Sequence, residues 1–249
     1  MKFTIITVVF NGKTTIKATI DSVLNQKHPH LEYIIVDGGS SDGTIELVHS
    51  YGSRISKFIS EKDHGLYDAM NNGIGLATGD VIGFLNSDDF YPNNNVIADV
   101  AEVFEKQKID CCYGDIQYVD QNDTSKIVRK WRARPYHPGM MKSGWYPPHP
   151  AFFVKKSIID KYGGFDLRYR LSADYEMILR LLEKHKISFA YIPKVIAKMR
   201  LGGASNRSLN NIVWANMECY KAWKNNNLPI NPLAILLKPL GKLLQYIYK

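Results

Sequence analysis

Two adjacent carboxylates, Asp88 and Asp89, end the stretch GFLNSDDF just after an apolar run, Val81-Ile82-Gly83-Phe84-Leu85, that reads as a buried strand. Like charges at a strand end repel, and burying them unpaired is costly. A hard divalent cation removes that cost, because Mg2+ or Mn2+ accepts one or two protein carboxylates together with phosphate oxygens. Asn86, Ser87, Asp88 and Asp89 are equally good turn and N-cap chemistry ahead of a helix, so the pair alone reads more simply as a solvated turn. Other strand ends reverse that preference. Asn11 closes the first apolar run and Asp37 the second, although Asp37 also has the chemistry of an Asx-turn holding Gly38-Gly39.

Groups of this kind need a scaffold that delivers them together. Residues 3–10 form a β-rich apolar run, after which Ile16, Ile20, Val23 and Leu24 recur at helical spacing. Residues 33–36 read as a second strand, 44–51 as a helix after the loop DGGSSDGT, and 57–60 as a third strand. A helix over 66–77, a strand over 81–85 and a helix with Val96, Val100, Val103 and Phe104 on one face follow. This alternation predicts an α/β fold with a Rossmann-like, mostly parallel sheet and helices on both faces. Ligands of such sheets sit outside the carboxyl ends of the strands, where Asn11, Asp37 and Asp88-Asp89 all fall. The second half is mixed. CCYGDIQYVD and SKIVRKW read as a hairpin, 132–150 as a long loop rich in Pro, Gly and aromatics, 173–185 as a helix, 187–196 as a strand and 209–223 as a last helix.

A chain of 249 residues can bury one full α/β core, and 45% hydrophobic with 22% charged content excludes a disordered one. The net charge of +8 favours an anionic partner, but no nucleic-acid recognition motif accompanies the basic residues. Three cysteines, two of them adjacent, make neither a disulfide framework nor a zinc pattern and read as reduced buried thiols of a cytoplasmic protein. The N-terminus reads as a first strand rather than a signal peptide, and no segment reaches the ~18 uninterrupted apolar residues of a spanning helix.

TIITVVFNG, DGGSSDGT, YDAMNNGIGLATGD and FLNSDD, then HPAFFVKKSIIDKYGGFD, LSADYEMILRLL and RLGGAS, come in the order and spacing of family 2 glycosyltransferases. Over residues 1–205 the chain resembles these inverting enzymes of the GT-A fold. The resemblance implies a catalytic domain over that span, with a nucleotide-binding half at 1–105 and an acceptor-binding half at 106–205. It implies that Thr7 and Asp37 receive the uracil of a UDP-sugar, with Asn11 among the nucleotide-sugar contacts. Asp88 would lie by the ribose and the Mn2+ or Mg2+ ion, and Asp89 would ligate that ion directly. Asp68 and Asn72 would belong to the helix that closes over the nucleotide, Asn72 standing where the family often has Lys. Asp174 matches the catalytic base that deprotonates the acceptor hydroxyl; a first-turn acid favoured by the helix dipole is its plainer role, and Glu176 is the second choice. His149, between two prolines, is read as an acceptor or diphosphate contact against an ordinary structural histidine. Arg200, with Gly202-Gly203 and Ser205, is read as a lid contact to the diphosphate against a common surface arginine.

Residues 206–249 carry six basic residues and one acid. LPINPLAILLKPLGKLLQYIYK is too broken and charged to span a bilayer, and reads as an amphipathic helical tail in peripheral contact with the inner face of the cell membrane; docking on the catalytic domain is the alternative. The reading that follows is transfer of a hexose from a UDP-sugar to an oligosaccharide or lipid-diphosphate-linked acceptor in O-antigen, capsule or exopolysaccharide synthesis. A metal-dependent sugar nucleotidyltransferase ranks lower, because only Lys13 follows the first strand. A non-catalytic UDP-binding subunit ranks lowest, since Asp88, Asp89 and Asp174 are all present.

Overall fold

The structure, a computed structural model, describes residues 1–202 and 209–230. Gly203, Ser205 and the apolar tail 231–249 lie outside the described residues. The elements run β1 (Phe3–Val9), α1 (Ile16–Leu24), β2 (Leu31–Asp37), α2 (Thr44–His49), β3 (Lys57–Ser60), α3 (Leu66–Leu76), β4 (Val81–Phe84), α4 (Val96–Lys106), β5 (Cys111–Val119), β6 (Ile127–Trp131), β7 (Phe152–Lys155), α5 (Lys156–Tyr162), α6 (Ala173–Leu179), β8 (Phe189–Arg200) and α7 (Leu209–Asn225).

Every residue of β1 is buried, because the strand lies inside the sheet and both its faces are covered. Ile6 and Val8 enter one core, shared with Met70 and Ile74 of α3 and Met177 and Ile178 of α6. Phe3, Ile5 and Val9 enter the other, shared with Ile16 and Ile20 of α1 and Val100 and Phe104 of α4. Gly73 lets α3 settle onto β1: a Cβ there would come 2.5 Å from Ile6 Cγ2.

The sheet order is β3-β2-β1-β4-β7-β5-β6, with β8 also on β5. β1 to β4 pair in parallel, β8 runs parallel to β5, and β7 is antiparallel to both β4 and β5. β6 forms the expected hairpin with β5. The expected mostly parallel α/β sheet with helices on both faces is therefore present, but one central strand differs. Residues 152–162 show no usable periodicity, yet they form β7 and α5 back to back. β7 has four residues, and what makes it a strand is its pairing with β4 and β5 rather than local alternation. The expected helix over 173–185 ends as regular α-helix at Leu179 and closes with a π-turn over Arg180–Lys184.

α7, which the sequence placed in the tail, packs on α6 and buries Cys219, Ala222 and Trp223 in the α3 and α6 core. The Trp223 indole N–H donates to the Tyr175 hydroxyl at 2.9 Å. Among the described residues no helix is long and apolar enough to cross a membrane.

Candidate active site

Six strands run in one direction and send their carboxyl ends to one edge. Asp37, at the end of β2, is fully buried and holds its own loop. Its Oδ2 accepts from Gly39 N and Ser40 N at 2.9 Å each and from Ser60 Oγ at 2.7 Å, while Oδ1 accepts from Ser40 Oγ. Asn11, at left-handed φ of 51°, ties the neighbouring loop to it: its N–H donates to Ser40 Oγ at 2.7 Å and its Oδ1 accepts from Ser41 N at 2.9 Å. At Gly12 a Cβ would lie 3.4 Å from Ser87 Oγ, so the β1 loop also touches the Asp88-Asp89 turn. The three strand-end motifs thus meet.

The turn after β4 is pinned from below by Thr19, whose hydroxyl donates to the carbonyls of Ser87 and Asp89 at 2.9 and 2.7 Å. From β8, Arg200 Nη1 donates to the Asp88 carbonyl at 2.7 Å, and its guanidinium lies 5.1 Å from the Phe90 ring centroid. Asp89 is 1% exposed. Its Oδ2 accepts a long 3.3 Å hydrogen bond from Asn86 Nδ2, and its Oδ1 meets no protein donor. Burial, then the charge of Asp88, push the Asp89 carboxyl well above the usual carboxylate range. An orphaned, buried carboxylate oxygen beside a second carboxylate fits a hard cation. No cluster of three or more His, Cys, Asp or Glu side chains among the described residues could hold a metal alone, so the remaining coordination falls to ligand oxygens and water.

Because β7 runs against its neighbours, its leading flank arrives at the same edge and brings His149 with it. His149 is 6% exposed, stacks on Phe84 of β4 (5.2 Å, 28°) and meets Phe165 edge-on (5.6 Å, 81°). Both ring nitrogens are buried without a partner, and burial lowers the imidazole pKa against the opposing pull of Asp174. Phe165 continues to Tyr67 (5.4 Å), whose hydroxyl donates to Asp174 Oδ1 at 2.9 Å. A continuous line of rings therefore joins the carboxylate turn to Asp174.

Asp174 is half-buried at the start of α6, and two helices set its place. Glu218 of α7 accepts from Arg170 N and Leu171 N at 2.9 and 2.8 Å, and Ser172 Oγ donates to the Ala215 carbonyl at 3.1 Å. Glu176, the second choice for a base, is corrected by the structure. It is 3% exposed, pairs with Arg180 at 3.0 and 3.1 Å and accepts from Asn226 Nδ2 at 2.9 Å. Arg180 also donates to the carbonyls of Tyr162, Gly163 and Gly164, closing the end of α5. That carboxylate is a structural ion pair on the far side of α6.

The remaining expected residues divide. Asp68 stands in the first turn of α3, where its Oδ2 accepts from His64 N at 3.0 Å. Asn72 is exposed on α3, while its neighbour Asn71 is bound both ways to the backbone of Phe165, at 2.8 and 2.9 Å. Thr7 is fully buried and pairs with the Tyr33 hydroxyl at 3.1 Å, so its side chain is turned into the α1 and α4 core and away from the mouth of β1. What stands at that mouth is Phe10, 66% exposed directly after a wholly buried strand. Its exposure sets it apart where sequence reads only a continued strand.

A family profile described as Glycosyl transferase family 2 matches residues 4–163. A PGL/p-HBAD biosynthesis glycosyltransferase of Mycobacterium tuberculosis is 28% identical over 216 residues, covering 82% of this chain and 79% of its own. An uncharacterized glycosyltransferase of the same species is 32% identical over 181 residues, covering 71% and 67%. Among solved structures, Staphylococcus aureus TarS in complex with UDP matches with a TM-score of 0.67 at 16% identity, over 94% of this chain and 68% of that one. The Pyrobaculum calidifontis mannosyltransferase PcManGT, in complex with GDP-Man and Mn2+, matches with a TM-score of 0.64 at 16% identity, over 100% and 76%. The profile runs through β1, β2 and β4 and the loops that carry Asn11, Asp37, Asp88 and Asp89, and the chain belongs to glycosyl transferase family 2.

Proposed function

We propose that this family 2 glycosyltransferase is an inverting, divalent-metal-dependent enzyme. It moves a hexose from a UDP-sugar to a sugar hydroxyl on a lipid-diphosphate-linked glycan intermediate of surface polysaccharide synthesis. The observation that carries the reading is the orphaned Asp89 Oδ1 beside Asp88, at the edge where Asp37 and Asn11 also arrive. UDP in TarS, and GDP-Man with Mn2+ in PcManGT, support a nucleotide-sugar donor and a cation.

In this reading Phe10 offers the face on which the base stacks, and Asp37 holds the adjoining loop at the base edge. Asp68, Asn72 and Arg200 flank the nucleotide, and His149 lies between donor and acceptor. A cation bound by Asp88 and Asp89 supplies the charge that a departing diphosphate needs. Asp174 takes the proton of the acceptor hydroxyl through its outer oxygen, and that hydroxyl oxygen forms the new bond to the anomeric carbon. The bond from that carbon to the UDP oxygen breaks on the opposite face, and UDP leaves with the electron pair. Peripheral membrane contact is part of the proposal. Val213, Trp214 and Met217 are 57%, 56% and 45% exposed on α7, with Lys221 and Lys224 further along the same side. The only acid of that helix, Glu218, is turned inward.

The test is UDP release from a panel of UDP-sugars with Mn2+ and a synthetic lipid-diphosphate acceptor. Asp89→Ala should abolish metal-dependent donor use. Asp174→Asn should bind UDP as before while turnover drops by about 10²–10⁴-fold, the usual share of a general base. A fully active Asp174→Asn protein would remove the base from this scheme.

A further inference from the structure

We infer that Tyr67 is a positioning residue for the base: its hydroxyl fixes one oxygen of Asp174, favours the ionised carboxylate and leaves the second oxygen for the acceptor. The inference rests on the reading of Asp174 as the base and assigns to that site a residue from the donor side of the fold. Tyr67 lies in the first turn of α3, one residue before Asp68, and is 8% exposed. Its ring is packed against Phe165 at 5.4 Å, and Phe165 in turn lies against Phe84 at 5.1 Å and against His149. A phenol has few torsions, so this packing fixes where the hydroxyl is, 2.9 Å from Asp174 Oδ1. The hydrogen bond spans 107 positions of the chain and ties the helix that begins beside the donor loops to the helix that begins with the base.

The other groups that face Asp174 do not supply this function. Neutral His149 approaches from the turn before β7, and its ring nitrogens meet no partner. Tyr146 approaches from the loop between β6 and β7 and is half-buried, its proton held more tightly through desolvation and then the Asp174 charge. On α6 itself, Glu176 turns to Arg180, and from α7 Glu218 bonds the backbone before the helix. Among the described residues no ion pair holds Asp174. A hydrogen bond donated to a carboxylate is strongest when that carboxylate is charged. The Tyr67 hydroxyl is the donor in place.

Five proteins decide the matter: wild type, Tyr67→Phe, Asp174→Asn, the double variant and a protein with 3-fluorotyrosine at position 67, each followed from pH 5 to 9 by kcat/KM and by UDP affinity in the presence of Mn2+. Tyr67→Phe keeps the ring and should move the acidic limb of kcat/KM upward by about one pH unit, the size expected for one hydrogen bond to a charged group. UDP affinity should stay unchanged. In the Asp174→Asn background the same change should have no further effect on residual turnover. Replacement of Tyr67 by 3-fluorotyrosine, whose hydroxyl is a stronger donor at nearly the same volume, should move the limb downward, and it tests the idea even if Tyr67→Phe folds poorly. Superimposable pH profiles for wild type and both Tyr67 variants would overturn the inference and leave the base intact. Full activity of Asp174→Asn would instead overturn the base assignment itself.

Discussion

Glu176 and Asp174 are two residues apart on α6, and the structure predicts opposite consequences for removing their charges. Glu176→Gln keeps the shape of the side chain and alters a buried network. The wild-type Oε1 accepts from Arg180 Nε and Asn226 Nδ2, and Oε2 accepts from Arg180 Nη2 at 3.1 Å. A glutamine can keep one of those oxygens, but its NH2 then faces a guanidinium N–H, donor against donor. The Arg180 side chain is 12% exposed and loses its counter-charge. Breaking a buried pair by removing one partner costs about 3–5 kcal/mol. Arg180 keeps its three carbonyl acceptors at the end of α5, which places the cost at the lower end, about 3 kcal/mol. For a chain of this size each kcal/mol lowers Tm by about 2–4 °C, so the melting point should fall by about 6–12 °C. Thermal unfolding followed by circular dichroism measures that fall. Initial rates well below the transition should show none of the ~10²–10⁴-fold loss that removal of a base brings. A Glu176→Gln protein that melts like wild type while its turnover collapses by that factor would refute the reasoning and make Glu176 the base.

Three other outcomes follow from the same geometry. Phe10→Ala should weaken UDP binding by about 1–3 kcal/mol in calorimetry, the worth of one base–aromatic stack, and leave Tm unchanged because the ring is already 66% exposed. His149 is neutral in the fold, and burial holds its pKa below the ordinary 6.5. The unfolded chain therefore binds a proton first, and stability is complete above that value and is lost as the pH falls through it. Urea unfolding between pH 7.5 and 5 should show this slope in wild type, and a shallower one in His149→Phe. Joint substitution Trp214→Ser and Met217→Ser should reduce sedimentation with anionic vesicles without lowering Tm, because both side chains point away from the α6 contact.

The first 105 residues were legible because β1, β2 and β4 are buried on both faces and stop abruptly in polar residues. Apolar runs ending in Asn11, Asp37 and Asp88-Asp89 identify both the parallel sheet and the edge where those residues meet. Periodicity gives less where a strand has no solvent face. Thr7 is polar within such a run, but alternation cannot say that its hydroxyl is spent on Tyr33 inside the core. Phe10 reads as one more strand residue, although it is the first to leave the sheet. β7 was hidden for a different reason: its four residues acquire strand character from β4 and β5, and no local pattern announces partners so distant in sequence. Glu176 and Asp174 could be ranked by direction on a helix, but Arg180, the carbonyl cluster it closes and Asn226 decide the matter only in three dimensions.

The two sides of the site are built by different means. At the strand ends, loops are cross-linked by short polar side chains, with Ser40 bridging Asp37 to Asn11 and Thr19 holding the carbonyls of Ser87 and Asp89. These contacts constrain the backbone and leave Phe10 exposed beside them. Asp174, by contrast, is placed by packed rings and by α7, whose Glu218 and Ala215 grip the residues just before it. α7, although late in the chain, belongs mechanically to Asp174, because the helix that buries Trp223 in the core also fixes the start of α6.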